Sequence, residues 1–448
     1  MKGPGYRPRP EGEHARTRLL TAPLRVTGRL PASDLVALVT ADALVGWARA
    51  AGSHADWTCP ATAGDLAGQH AVDRELAREG RDRAIVARDE FIDRVRVAEA
   101  SARDRAASLL GSLGADTDLA GLDASEPSLA ARTAFVMLYE AGLLRFVDQV
   151  VDTCPRCLTA VDRADTEAAD IVGEAVVLHL PTAGGRVVEV LTNAPELLLG
   201  VVAVAVPRGH PAAGDTVELG LAGRQVPVVV VDVDAPLLVV PAHDRRGLEI
   251  ARRLRLAPVE VLDVNGVVRH DGPLDGLSRY AARAAATELL RADGLVAEQV
   301  GGTELTARCR RCRTVLVPRL GRHWVLPTAA LEGAVADAVR EGLVSFFPPA
   351  AREDFMAHAG RGGDWCVSYQ VIAGQPVPAS TCLDCGKVAV AVDAPESCPR
   401  CTGPLTPDLG VLDAGFVGAV WPLAANGWPG SVGADWPEST LVIGPDGL

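Results

Sequence analysis

The sequence predicts an α/β protein whose helix-containing domain is interrupted by a β-rich insertion and carries metal-binding cysteine knuckles. Three observations support this fold class. Apolar residues recur at helical spacing in the first third of the chain, short β-branched runs replace them after about Asp170, and eight of the ten cysteines form four CxxC pairs. A periodicity that changes along the chain indicates separate domains.

Length and composition fit a globular protein of several domains. The chain has 448 residues, 48% of them hydrophobic and 23% charged, which suits roughly two to four domains. It contains no apolar run of the about 18 residues that a membrane span needs. The Arg- and Pro-rich stretch 1–18 lacks the apolar segment of a secretory signal. We therefore expect a disordered tail over 1–18, no membrane contact and a cytoplasmic protein.

Charge restricts the partners and the chemistry. The net charge is -13 at pH 7, so a nucleic-acid partner would need a local basic patch. Lys2 and Lys387 are the only lysines. Any reaction that requires a lysine therefore has two candidates.

Residues 19–168 are predicted to form the first part of the helix-containing domain. A long helix with one apolar and one charged face is expected there, and a second helix is expected over about 129–144. The apolar stripe of the long helix consists of Phe91, Val95, Ala98, Ala102, Ala106, Leu109 and Leu113.

Residues 169–304 are predicted to form the inserted β-rich domain, with a barrel as its expected form. A helical pattern returns over 277–290, and 305–448 are expected to complete the first domain. The strand-like runs are 175–180, 187–191, 201–206, 226–231 and 236–240.

Cysteine spacing gives the clearest chemical signal. The pairs Cys382/Cys385 and Cys398/Cys401 are separated by twelve residues, a spacing that lets four thiolates surround one zinc ion in a closed, structural site. Free thiols or a disulfide are the alternative.

The pairs Cys154/Cys157 and Cys309/Cys312 lie 151 residues apart. Each alone suits a redox pair or chance, and together they suit one split metal site. Cys59 and Cys366 are unpaired and are interpreted as small buried hydrophobes.

With their flanking segments, these pairs resemble those of the valyl-tRNA synthetases, which are class Ia enzymes. The resemblance runs from about Thr21 to Pro445 and consists of segments in the family's order. They are LRVTGRL (24–30), RDEFIDRVR (88–96), VMLYEAGLL (136–144), DTCPRCLTAVDRADTE (152–167), NAPELLLGVVAVAV (193–206), VVPAHDRRGLEIARRL (239–254), CRRCRTVLVPRLGRHWVLP (309–327), DWCVSYQVIAGQPVPA (364–379) and VLDAGFVGAVWPLAANGWP (411–429).

The resemblance implies a partial Rossmann-like class I catalytic core, an inserted editing-like domain and two structural zinc sites. It also implies tRNA or aminoacyl-tRNA as a partner and ATP-dependent valine–tRNA ligation as the family activity. Two features argue against that activity here. The HIGH motif, whose histidines stabilise the phosphates of ATP, falls on Pro31, Ala32, Ser33 and Asp34, and an aspartate repels triphosphate.

The second feature is the expected position of the KMSKS loop. It would follow 439–448, so we expect a chain truncated before that loop, with ATP as a doubtful cofactor. The sheet edge that truncation would expose is expected to be covered by a protein partner or a second copy.

Other family positions in the synthetic site also differ. The GTDHAG segment corresponds to 61–66, the arginine of DWCISRQ to Tyr369, and WWGH to 372–375.

The editing-like pocket has the candidates Thr192, Asn193, Glu196, His243 and Asp244. The family's TTRPET signature falls on 192–197 and its GTG turn on 233–235. The second acidic position after His243 and Asp244 falls on Gly247. The pair His243 and Asp244 is either a retained functional pair or a structural turn.

A cluster of arginines around one knuckle is either an RNA-facing patch or a solvated face. It contains Arg308, Arg310, Arg311, Arg313, Arg319 and Arg322.

Three functions remain open. They are a non-catalytic paralogue that binds aminoacyl-tRNA, an amino acid or a synthetase, a trans-editing deacylase, and a valine–tRNA ligase completed by another chain.

Overall fold

The computed structural model describes residues 16–24, 32–61, 66–115, 118–121, 125–161, 165–359, 363–430 and 440–443. Several sequence predictions fall outside these ranges, namely most of the tail, the segment 25–30, Pro31, the segment 62–65 and the segment 444–448. The described chain divides into two compact units, one of 1–145 with 325–448 and one of 146–324.

The helices are α1 (Ala32–Ala50), α2 (Leu66–Arg78), α3 (Arg88–Ser112), α4 (Ser125–Glu140), α5 (Arg245–Leu254), α6 (Arg279–Ala292), α7 (Ala329–Arg340), α8 (Ala351–Ala359) and α9 (Ala414–Ala425). Short 3-10 turns occupy Arg83–Ile85, Pro195–Gly200 and Gly220–Ala222.

The strands are β1 (Arg16–Thr21), β2 (His54–Ala61), β3 (Asp118–Gly121), β4 (Arg145–Cys154), β5 (Thr159–Ala160), β6 (Thr166–Pro181), β7 (Val187–Thr192), β8 (Ala203–Val206), β9 (Thr216–Leu219), β10 (Arg224–Val230), β11 (Leu237–Val239), β12 (Val296–Cys309), β13 (Val317–Pro327), β14 (Asp364–Cys366), β15 (Ser368–Tyr369), β16 (Ala379–Cys382), β17 (Val388–Val390), β18 (Leu405–Pro407), β19 (Val411–Leu412) and β20 (Thr440–Val442).

The first unit contains an open parallel sheet in the order β20-β1-β2-β3. Helix α1 links β1 to β2, and its apolar face packs on them through Leu38, Ala41 and Val45. Parallel strands joined by a helix bring their carboxyl ends to one edge, where ligands of such folds bind. The sheet therefore places the start of α1 at a potential ligand site.

Helix α3 follows the predicted stripe for most of its length and departs from it in the last turns. Phe91 and Val95 are fully buried, but Leu109 and Leu113 are 39% and 50% exposed. Leu110 is buried in their place. The prediction was wrong by one residue there because adjacent leucines satisfy a 3.6-residue period almost equally well.

Two open sheets of the second unit share its largest hydrophobic cluster. Their strand orders are β11-β8-β10-β9 and β12-β6-β7, and the bridge between Thr182 and Val217 joins them. Both sheets contribute to the core, with Leu178 and Val190 from one and Val204 from the other. The predicted strand runs are found, but the described strands form no closed barrel, so the expected barrel is not confirmed.

Within the described ranges, no helix combines the length and apolar character required to cross a membrane.

Candidate functional site

The first cysteine set lies within the second unit. Cys154 ends β4 and Cys309 ends β12, and the four sulfurs of Cys154, Cys157, Cys309 and Cys312 lie within 4.8 Å of one another. The sulfur of Cys312 is 3.4 Å from that of Cys154 and 3.6 Å from that of Cys157. The long β6–β12 pairing brings the two halves together, since Thr166 pairs with Cys309.

The second set lies within the first unit, in the small sheet β17-β16-β18. The sulfurs of Cys382 and Cys401 are 3.5 Å apart, and those of Cys385 and Cys398 are 3.7 Å apart. Backbone N–H groups donate hydrogen bonds to the Cys398 sulfur and lower the pKa of Cys398 to about 6, and the N–H of Arg400 has the largest effect. The thiolate that a metal requires is thus favoured at this position.

The spacing of the sulfurs fits zinc in both sets. Four sulfurs at about 2.3 Å from one zinc ion lie about 3.8 Å apart, whereas a disulfide would require about 2.05 Å. In the first set, hydrogen bonds to the other three cysteines raise the pKa of Cys157, and burial raises it further. For Cys312, hydrogen bonds to the other three cysteines lower the pKa instead. The four thiols compete for negative charge, and a cation that neutralises it would let all four ionise.

All four CxxC knuckles share a backbone feature. The residue after each second cysteine has a left-handed conformation, and its N–H bonds to the carbonyl of the first cysteine. These residues are Leu158, Gly386, Arg313 and Thr402, with φ between 59° and 67°. Three of them carry side chains, for which this conformation is uncommon. The turns therefore hold a shape that four-sulfur coordination would reinforce.

The carboxyl ends of β1 and β2 form the potential ligand site of the first unit. Burial raises the pKa of Cys59 to about 12, a hydrogen bond to Thr21 opposes this, and the negative charge of Asp34 adds to it. Asp34 lies in the first turn of α1. A carboxylate therefore lies in the first turn of this helix, where a helix N-terminus would otherwise attract phosphate. Ala32 and Ser33 open the same helix.

The other synthetic-site positions are engaged in contacts within the first unit. Tyr369 pairs with Val411 between β15 and β19. The Ile372 N–H donates to the Gln69 side chain at 2.9 Å, and the Gln375 side chain accepts from the Ser128 hydroxyl at 2.7 Å.

In the second unit, Glu196 is completely buried and binds two arginines of α6. Its carboxylate accepts from Arg279 Nε at 3.1 Å and from Arg283 Nε at 3.3 Å. Thr192 accepts from the backbone N–H of Ala194 at 3.1 Å. Glu196 therefore fixes α6 against the 3-10 turn that contains it.

His243 is 5% exposed, and both of its ring nitrogens bind backbone groups. Nδ1 lies 2.9 Å from the Pro318 carbonyl, and Nε2 lies 3.1 and 3.3 Å from the N–H groups of Val261 and Leu262. Since a carbonyl only accepts and an N–H only donates, the ring is neutral with its proton on Nδ1. Burial lowers the pKa of His243 to about 4, consistent with that form.

Asp244 caps helix α5. Its carboxylate accepts a short hydrogen bond from the N–H of Gly247, which satisfies an otherwise unpaired group at the helix start. A Cβ added at Gly247 would lie 2.9 Å from the Val240 nitrogen and 3.1 Å from its carbonyl carbon. Backbone thus occupies the space that a side chain at Gly247 would need.

Four nearby acids pair with most of the arginine cluster around the first knuckle. Five of its six members form ion pairs, which are Arg308–Glu167, Arg313–Glu167, Arg311–Asp165, Arg319–Glu260 and Arg322–Asp148. Paired cations attract phosphate weakly. The geometry favours the solvated-face interpretation over an RNA-facing patch.

Comparison with known proteins identifies the family. The model of class I tRNA synthetases (I, L, M and V) matches residues 9–400. The chain belongs to this family. Its relatives include the valine–tRNA ligases of Solibacter usitatus strain Ellin6076, 32% identical over 98% of this chain and 54% of the relative, and of Geobacter sulfurreducens, 32% identical over 98% and 52%. The valine–tRNA ligase of Streptomyces avermitilis is 32% identical over 95% of this chain and 50% of the relative.

The chain spans about half the length of the curated relatives it matches. Among solved structures, the crystal structure of the ternary complex of Agrobacterium radiobacter K84 agnB2 LeuRS-tRNA-LeuAMS aligns with a TM-score of 0.42 and 15% identity. That alignment covers 97% of this chain and 58% of the other. The resemblance to valyl-tRNA synthetases is confirmed at the level of the family.

Two features of this class I synthetase chain could not be anticipated from its motifs. The first is the pairing of Glu196 with Arg279 and Arg283, which are 83 and 87 residues away. The second is the use of both His243 nitrogens by backbone groups. For the pairing of Glu196, the sequence signal is the spacing of the two arginines at i and i+4 on α6. For the contacts of His243, the sequence carries no signal.

Proposed function

We propose that this chain is a valyl-tRNA synthetase-like paralogue that has lost aminoacyl-adenylate formation and acts as a binding or accessory protein. Its partner would be an aminoacyl-tRNA, an amino acid or a synthetase. The observation that carries the proposal is Asp34, which places a carboxylate in the first turn of α1, the helix that links β1 to β2.

The physical reason is electrostatic. Adenylate formation proceeds by attack of a carboxylate on the α-phosphorus of ATP, and the enzyme contributes positioning and charge stabilisation. The HIGH histidines that the resemblance implies are replaced by Pro31, Ala32, Ser33 and Asp34. Loss of one preorganised donor costs about 10²–10³ in rate, and a fixed carboxylate adds repulsion.

Zinc is proposed as a structural cofactor of both cysteine sets. Four thiolates would fill a tetrahedral site and leave no open position for catalysis. Such an ion would contribute folding free energy directly.

The domain organisation is also proposed from the sequence. Residues 19–168 begin a Rossmann-like domain, 169–304 form the editing-like insertion, and 305–448 return to the first domain. The tail expected over 1–18 is proposed only as far as β1, which begins at Arg16. We further propose a cytoplasmic location.

A protein partner or a second copy is proposed to pair with β20. This strand lies at the edge of the described parallel sheet, and Leu441 is 48% exposed there. Open sheet edges of this kind are templates for another chain.

The trans-editing alternative has less support. His243 and Asp244 are engaged with backbone groups, and a side chain at Gly247 would meet the backbone of Val240. If the chain did hydrolyse threonyl-tRNA, Asp244→Ala would abolish that hydrolysis, and we expect none in the wild type.

The decisive experiment is valine-dependent ATP–pyrophosphate exchange by the purified chain, for which we expect no detectable activity. Exchange at rates typical of synthetases would refute the proposal.

A second measurement isolates the role of the Asp34 carboxylate. Asp34→Asn should tighten ATP binding, by about tenfold if a unit charge near the phosphates is removed, whereas the control Asp42→Asn on the same helix should leave it unchanged.

A further inference from the structure

A cleft in the second unit separates α6 from the paired strands β6 and β12. Its volume is about 630 Å³, within the ~300–1,000 Å³ range of small-molecule sites. One wall is formed by Arg279, Arg283 and Ala284 of α6, and the facing wall includes Glu174 and Gln299. It is distinct from the region of His243 and Asp244, since neither residue lines it.

The cationic end of this α6 cleft is rigidly held. Arg279 and Arg283 both line the cleft, whereas the buried Glu196 that binds them does not. Their side chains are 17% and 20% exposed. Glu196 therefore fixes the two guanidinium groups in the wall, and the planar guanidinium is the side chain best suited to a carboxylate.

The carboxylates in the lining are engaged by neighbours. Glu288 forms an ion pair with Arg291 at 2.5 Å, and Glu174 accepts from the Gln299 amide. Val176, Ala285 and Val315 supply apolar lining. The cleft thus combines an arginine pair and two engaged carboxylates with an apolar surface, and small-molecule sites typically combine an apolar lining with a few placed polar groups.

A glycine keeps the strand wall open. Gly301 pairs directly with Glu174 and so shares its face of the ribbon. A Cβ added at Gly301 would meet no heavy atom within 4 Å, and its backbone is not in the left-handed region. The absence of a side chain at Gly301 leaves this part of the ribbon face clear.

We propose that the α6 cleft binds a small organic acid, whose carboxylate contacts Arg279 and Arg283 and whose apolar part packs on Val315 and the α6 alanines. The site is independent of adenylate formation, because it lies wholly within residues 146–324.

Two cleft-filling variants test the site from opposite walls, and the one on α6 has a matched control. Gly301→Leu adds bulk to the ribbon on the face that it shares with Glu174. Ala284→Leu fills the cleft from α6. Its control is Ala281→Leu, an exposed position of the same helix outside the lining. Leucine is a good helix former, so the α6 pair should keep its fold.

The probe is benzoate, followed by saturation-transfer NMR on the full chain, with circular dichroism to verify folding. Wild type and the Ala281→Leu control should transfer saturation to benzoate, and both cleft-filling variants should lose the signal. Absence of signal in wild type, survival in the folded Ala284→Leu variant, or equal loss in Ala281→Leu would overturn the proposal. Line broadening of inorganic phosphate by the cleft without any benzoate signal would also overturn it, because the cleft would then bind the anion alone. If Gly301→Leu fails to fold, the α6 pair decides the question.

Discussion

The structural role of His243 leads to a quantitative prediction about stability. Replacement by leucine would leave the Pro318 carbonyl and the N–H groups of Val261 and Leu262 buried without a partner. Each such group costs about 1–3 kcal/mol. With some relaxation of the site, we expect His243→Leu to lower the local free energy of unfolding by about 3–5 kcal/mol at pH 7.5.

His323 provides a matched comparison. It is also buried. Burial, and to a smaller extent the charge of Arg319, lowers the pKa of His323 to about 4. Its Nδ1 lacks a hydrogen-bond partner among the described residues. An apolar replacement of a buried group without a partner is close to neutral. We therefore expect His323→Leu to change stability by less than about 1 kcal/mol at pH 7.5.

The pH dependence follows from the direction of the pKa shift. Both histidines have a pKa lowered from 6.5 to about 4, so between these values the unfolded chain binds more protons. Their stabilisation is complete above pH 6.5 and is lost as the pH falls to about 4. At 1.36 kcal/mol per unit, each contributes about 3 kcal/mol. Either leucine variant should remove half of this acid sensitivity.

The assay is native-state hydrogen exchange with mass spectrometry, using peptides that cover 259–264 and 315–325. It reads the second unit locally, so it does not require the whole chain to unfold in one step. His243→Leu should lose protection at Val261 and Leu262, and His323→Leu should retain it. If His243→Leu kept wild-type protection there, the histidine would not be needed to stabilise the backbone at Val261 and Leu262, and a functional role for it would regain support.

Three further predictions concern other parts of the molecule. Elemental analysis of the reduced protein should give two zinc ions per chain, one after Cys382→Ser and two after Cys366→Ser; an unchanged metal content in the first variant would contradict the proposed site. Gly247→Asp should destabilise the second unit by about 1–3 kcal/mol, because its Cβ would crowd the Val240 backbone. That variant should gain no deacylation of threonyl-tRNA, and measurable hydrolysis would show that the site still accepts the acid. Glu196→Gln leaves two arginines around a neutral amide and should cost about 3–5 kcal/mol, which thermal unfolding would measure; a wild-type midpoint would argue against the buried pair.

Local sequence patterns predicted the parts of the fold that depend on near neighbours. The strand runs of the insertion and helices α4 and α6 are found close to their expected positions, because side-chain periodicity reflects burial directly. The two cysteine sets assemble as expected, because CxxC knuckles have a fixed geometry. The choice of Leu110 over Leu109 was not predictable, since it depends on how the end of α3 meets the sheet.

Local sequence patterns could not predict whether the strands of the inserted domain close into a barrel, or which residues pair with Glu196. Whether strands close into a barrel depends on pairing between β9 and strands more than thirty residues away in the chain, and alternation within a strand does not encode it. The ion pairs of Glu196 join positions more than eighty residues apart. Similarly, the motif containing His243 predicted a candidate site but gave no information about which groups bind its nitrogens.

The survival of editing-motif residues is explained by stability without any retained reaction. The nitrogens of His243 satisfy three backbone groups, Asp244 caps a helix, and Glu196 neutralises buried arginines. Loss of His243 or Glu196 is expected to cost about 3–5 kcal/mol and loss of the Asp244 cap about 1 kcal/mol, against a typical total stability of about 5–15 kcal/mol. Folding alone would therefore favour these residues whether or not the chain catalyses any reaction.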